Sequence, residues 1–168
     1  MSRRLLSPLL AMAAALAWPA AAADPELAAP VKAYEGAELD FTLRCKGCHG
    51  FEGQGTEGHV PRLKGFVGLY THLPDGREFL LRVPGVARSR LDDERLAAVL
   101  NWMLATYGPE PAPGFAPFTP GEVAQARVAP FPDPLARRAR LVAELHERGL
   151  LPAGDDGMGI SAEARAAR

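Results

Sequence analysis

Cysteine is scarce in this chain, with two among 168 residues, and aromatic residues make up only 7%. An excess of either charge is missing as well, with 19 Lys and Arg against 20 Asp and Glu. The formal net charge is −1, so there is no basic excess of the kind nucleic-acid binding requires. Beyond the N-terminus no apolar run is long enough to cross a bilayer. No internal repeat is present. Methionine and histidine are sparse too, and none of either falls between positions 73 and 102. What is plentiful is glycine, 17, and proline, 16, which imply many turns and irregular segments. Hydrophobic residues reach 48%, enough for a core although alanine inflates the figure. The length suits one domain plus an appendage.

The two cysteines stand in Cys45-Lys46-Gly47-Cys48-His49. C-x-x-C-H is the attachment motif for c-type haem. Two thiols must add to the two vinyl groups, and the adjacent imidazole must reach the iron. A two-residue gap lets both sulfurs face the porphyrin edge while the histidine sits beneath the metal. The competing readings are a plain disulfide, a redox dithiol and chance. A redox dithiol belongs in a βαβ pattern, which this sequence does not show.

The N-terminus reads as a signal peptide over residues 1–23. Ser2-Arg3-Arg4 is basic, residues 5–18 are apolar, and residues 19–23 offer small side chains for cleavage before Asp24. An uncleaved anchor is the rival reading. Cleavage removes Arg3 and Arg4 and no acid, moving the formal charge to −3. Export agrees with covalent haem attachment, which takes place outside the cytoplasm. Together they point to a periplasmic location.

Residues 32–43 read as a helix leading into the motif, with Leu39 and Leu43 four apart and Phe41 between them. A glycine-rich loop follows over residues 50–58; no Lys-Ser/Thr pair accompanies it, so it is no phosphate loop. A short helix or turn is expected at 77–83. The strongest helix is 91–105. Asp92, Asp93 and Glu94 favour its start, Leu96, Val99, Leu100, Met103 and Leu104 form one face, and Gly108-Pro109 ends it.

Taken in order, these pieces resemble class I c-type cytochromes over about residues 31–107. The matching segments are Tyr34 to Leu39, the haem motif, Pro61-Arg62-Leu63-Lys64-Gly65, and Leu96 to Trp102. The resemblance implies an all-α haem domain over 24–108 around one covalent haem c. Cys45 and Cys48 would carry the thioethers, and His49 would be the proximal iron ligand. The Pro61 carbonyl would accept the other ring N–H of His49. Leu63 would pack on the haem face, and Gly36 and Phe41 would meet Trp102 where the first and last helices cross.

One family feature is absent. The distal methionine that this family supplies just before the last helix has no counterpart in Arg82 to Leu91. His72 is the leading substitute as a metal ligand. His59, Met103, Met158 and His146 are the others, with His146 expected in solvent. An open axial position is the remaining possibility. Arg82 and Arg88 are polar distal candidates that could instead pair with a propionate or face solvent.

Residues 109–151 form a proline-rich linker and a helical extension. Phe115 and Phe118 are expected to pin the linker to a surface. Thr119 and Glu122 form a capping box for a helix to about Arg127, and Asp133-Pro134 opens another over 135–148. Arg137, Arg138 and Arg140 read either as a solvated face or as a docking patch. Residues 152–168 are expected to be a disordered tail.

The expected function is single-electron transfer between a dehydrogenase or reductase and a downstream cytochrome or oxidase. Lys46, Arg62 and Lys64 would steer docking of these redox partners. An open-site haem protein binding a small ligand, or the cytochrome subunit of a larger oxidoreductase, are the alternatives. No acid–base set for peroxide chemistry stands out, so a carrier is favoured over an enzyme.

Overall fold

The computed structural model describes residues 35–109 and 111–159. The expected signal peptide, the first turn of the helix over 32–43 and residues 160–168 lie outside them. Seven α-helices occur among the described residues: α1 (Gly36–Arg44), α2 (Lys46–His49), α3 (Gly76–Arg82), α4 (Pro84–Ala87), α5 (Asp93–Tyr107), α6 (Pro120–Arg127) and α7 (Pro134–Glu147). A 3-10 helix, Val67–His72, precedes α3. No strand forms among them; Thr56 and Val60 make one isolated bridge. The fold is all-α.

Local chemistry explains where the helices begin. Asp92 accepts from the Arg95 amide at 2.8 Å, and two further acids follow in the first turn of α5. Thr119 and Glu122 make the reciprocal capping box of α6. Asp133 accepts from the Ala136 amide at 2.9 Å, with Pro134 as the first residue of α7. Leu96, Val99, Leu100, Met103 and Leu104 of α5 are all buried, one stripe of a 3.6-residue period.

α1 crosses α5, and Phe41 packs on Trp102 and Tyr107 with ring centroids 5.2 Å away in each case. The inward face of α1 differs from the sequence expectation. Asp40 and Phe41 are buried, whereas Leu43 is 64% exposed and Leu39 is also outside. Asp40, at 4% exposure, is held by Arg95 of α5, whose Nε donates at 2.9 Å. An ion pair across the crossing thus fixes the rotation of α1, so the leucines turn outward. Gly36 does not sit at the crossing either, since a side-chain carbon there would meet nothing within 4 Å. Ala37 and Phe41 supply that contact instead.

The extension is part of the same core. Phe118, Val123, Leu141, Leu145 and Leu151 are buried in one cluster with Phe66, Tyr70 and Leu100. The linker is strapped down: Asn101 exchanges two hydrogen bonds with the Phe118 backbone, at 2.8 and 3.0 Å. Arg77 stacks on Phe115 and Phe118 and pairs with Glu122 at 2.8 Å. Residues 152–159, expected to be disordered, instead form turns bound to the loop after α2. Arg62 clamps Asp155 at 2.8 and 2.5 Å, and the Arg62 amide donates to Gly157 O at 2.8 Å. No described helix is long and apolar enough to cross a membrane.

Candidate cofactor site

α1 ends at Arg44, and Cys45 caps both α1 and α2. The amides of Cys48 and His49 donate to Cys45 O at 3.1 and 3.0 Å. One helical turn therefore brings Cys45, Cys48 and His49 onto one side, the i, i+3, i+4 relation. Both cysteines are free, Cys45 half-buried and Cys48 exposed. Burial, with help from Asp40 and Cys48, pushes the Cys45 thiol up to about 11, so it stays protonated at neutral pH.

The loop after His49 folds back on it. The Gly55 amide donates to His49 O at 2.8 Å, and Thr56 pairs with Val60. Gly55 has φ +74°, and a Cβ there would lie 2.4 Å from Val60 O. No other residue type fits that turn without strain. The turn delivers Pro61 to the imidazole: His49 Nδ1 and Pro61 O are 3.1 Å apart. A carbonyl only accepts, so Nδ1 carries the proton and Nε2 keeps its lone pair. Burial lowers the His49 pKa, partly opposed by that carbonyl, and favours the neutral ring.

His49 opens onto a cleft with two lobes of about 370 and 330 Å³. His49, Val83, Gly85, Val86 and Met103 line both. Each lobe alone reaches the ~300–1,000 Å³ scale of cofactor pockets. The smaller lobe holds Cys45 and Cys48. The larger holds Pro61 and Leu63, with Phe79 and Leu80 from α3 and Tyr70 and Arg138 at its polar end. Among the described residues no group of three His, Cys, Asp or Glu could hold a bare metal ion. The site instead offers one imidazole and two thiols along an apolar slot, a donor set that fits a covalently tethered metalloporphyrin.

Other residues singled out from the sequence are dispersed. Trp102 lines neither lobe; it faces α1, while its neighbour Met103, about 100° further round the helix, faces the cleft. His72 ends the 3-10 helix and lines neither lobe. His59 lies at the exposed rim of the larger lobe, its Nδ1 bonded to Glu57 O at 2.9 Å. His146 is not free in solvent: it donates to Leu151 O at 3.1 Å, and with Met158 it borders a separate cavity of about 400 Å³. Arg82 is tied to Glu78 and the Ala129 carbonyl, away from the cleft, whereas exposed Arg88 lines the smaller lobe.

The docking cations are largely committed as well. Arg62 pairs with Asp155, Lys64 with Glu52 at 2.9 Å, and Lys46 lies over the Phe51 ring. The Arg137–Arg140 cluster is broken up: Arg137 pairs with Asp75 at 2.8 Å, Arg138 is buried, and only Arg140 of the three is exposed. Arg138 was legible in principle, because it shares the three-to-four-residue stripe of Leu141, Val142 and Leu145. Tyr70 carried no sequence signal. Compared with protein families, curated proteins and solved structures, the chain matches none of them.

Proposed function

We propose that the protein is an exported monohaem c-type cytochrome of the class I fold that carries single electrons between redox partners. The observation that supports this most is the Nδ1–H···O=C bond from His49 to Pro61, at the end of a helical turn that also presents Cys45 and Cys48 to an apolar cleft. An imidazole held in this way in one tautomer, with its other nitrogen left for a metal, is the arrangement an iron ligand requires. The crossing of α1 and α5 through Phe41 and Trp102 is consistent with the fold.

Haem c, when bound, supplies the one-electron ferric/ferrous couple. The chain's residues do the remainder. Cys45 and Cys48 would hold the porphyrin covalently, and His49, its ring orientation set by Pro61, would hold the iron. Leu63, Phe79, Leu80 and Val86 would surround the group with apolar side chains and so lower the local dielectric.

A second reading follows from the cleft lining. Besides His49 and the two cysteines, only Met103 and the rim residue His59 bring a sulfur or imidazole nitrogen to it among the described residues. If neither ligates, the sixth position is open to a small ligand. Absorption spectra of the purified holoprotein, ferric and ferrous, with and without carbon monoxide, separate the two. A low-spin spectrum indifferent to carbon monoxide supports the carrier, and Met103→Leu then converts it to the responsive form if Met103 is the ligand. A high-spin spectrum that shifts with carbon monoxide supports the open site. Absence of covalent haem from the exported protein overturns both.

A further inference from the structure

Arg138 lies on α7, far outside the segment that resembles a cytochrome, yet it is only 8% exposed and lines the larger lobe. Its Nη2 donates to the Asp156 carbonyl, and its Nε has no hydrogen-bond partner. No carboxylate forms an ion pair with it among the described residues. Beside it stands Tyr70, 4% exposed, whose hydroxyl is close enough to interact with the Arg138 guanidinium but makes no hydrogen bond of full geometry. A buried guanidinium facing a cavity with no carboxylate in ion-pair contact is costly, even with buried Asp156 close by, and a buried hydroxyl short of a full hydrogen bond adds to that cost. Two such donors at one end of one cavity are explained together by an anionic acceptor placed between them.

The layout of the cleft says which anion. Of the two lobes, Cys45 and Cys48 line the smaller, Tyr70 and Arg138 the larger, and His49 both; Arg138 also borders the adjoining cavity of His146 and Met158. In a porphyrin of the haem type the vinyl carbons and the propionates leave from opposite edges. A ring tethered through its vinyl edge at the cysteines, with its iron at His49, extends its propionates into the larger lobe. Resting on the haem reading above, we propose that Arg138 and Tyr70 bind a haem propionate carboxylate, so that the C-terminal extension completes the cofactor site. Arg138 then acts as a positioning residue and as a fixed positive charge near the iron. The turn over 154–158, through the Asp156 carbonyl, holds the guanidinium in place.

The test uses the full-length exported holoprotein. Arg138→Gln, Arg138→Lys and Tyr70→Phe are compared with the parent for covalent haem content, midpoint potential and its pH dependence between pH 5 and 9. Thioethers at Cys45 and Cys48 keep haem attached in every variant. In the parent, the paired propionate stays ionised and the potential is flat across this window. Arg138→Gln is expected to lower the potential and introduce a pH-dependent segment, as the unpaired carboxylate titrates. Arg138→Lys restores most of the parent value, which a merely structural role for the side chain does not predict. Tyr70→Phe removes one oxygen and is expected to move the pH profile in the same direction, by less. If Arg138→Gln fails to fold, Arg138→Lys and Tyr70→Phe decide. Profiles unchanged in all folded variants overturn this inference and leave the haem reading intact. A parent without covalent haem overturns both.

Discussion

His49 has two ring nitrogens, and the protein commits only Nδ1, to Pro61 at 3.1 Å. That commitment depends on a backbone atom, so no substitution at Pro61 deletes the acceptor. The vulnerable residue is Gly55, at φ +74° with no room for a Cβ beside Val60 O. Gly55→Ala is expected to destabilise the fold by more than ~1 kcal/mol, because alanine must enter a left-handed conformation and meet a carbonyl. Thermal denaturation measures the loss; an unchanged Tm would show that the loop relaxes. Asp40 is the other sensitive residue. Asp40→Asn leaves a buried amide facing Arg95 and is expected to loosen the α1–α5 crossing, seen as lower Tm and faster amide exchange in α1.

At the scale of elements, α6 is short, eight residues, and contributes one fully buried side chain, Val123. Such a helix depends on its cap. Thr119→Ala removes half of the capping box and is expected to cost about 1 kcal/mol in urea denaturation. Glu122 ties the same helix to α3. The Arg77 guanidinium beside it, with the Thr119 amide, brings its carboxyl from 4.5 down to about 2. A carboxyl depressed on folding favours the native state above its unfolded value, about 4.3. That contribution is lost as pH falls from about 4.5 toward 2. Glu122→Gln should therefore destabilise the protein at pH 7 and flatten its loss of stability in that acid window. Urea midpoints measured from pH 7 to pH 2 check this; parallel curves for parent and variant refute it.

At the scale of the whole molecule, the extension is structural. Leu145 of α7 is completely buried among residues that precede and follow the cleft. Leu145→Ala is expected to cost about 2–5 kcal/mol, as for other buried leucines. Truncation after Gly108 removes Phe118, Val123, Leu141 and Leu145 together and bares the far side of α3 and α5. The truncated chain is expected to aggregate or to lose its sharp unfolding transition. A soluble, cooperatively folding product of truncation would mean that the extension is an arm and the core is complete without it.

The local elements were legible because their causes are local. Asp92, Thr119 and Asp133 satisfy amides three residues on, and five apolar residues of α5 recur at helical spacing. The cysteine–histidine turn was legible for the same reason, since a single helical turn aligns its three side chains. The rotation of α1 was not, because Leu39 and Leu43 compete with Asp40 and Phe41 on a nine-residue helix, and Arg95 of a distant helix decides between them. The placement of His72 outside the cleft and of Met103 within it depends on how two helices pack. Arg138 stands between the two: its place in the stripe of Leu141, Val142 and Leu145 marks it as inward, but that this face of α7 lies against the cleft is decided by the assembled molecule. The sequence alone determined the cysteine–histidine motif, the starts of α5, α6 and α7 and the all-α class, but not the 3-10 helix or the short α4, which begins at Pro84 where the sequence suggests a break. The tertiary structure alone decided which cations are paired, which sulfur meets the cleft and that residues 152–159 pack on the loop after α2, because each depends on contacts between segments up to about a hundred residues apart.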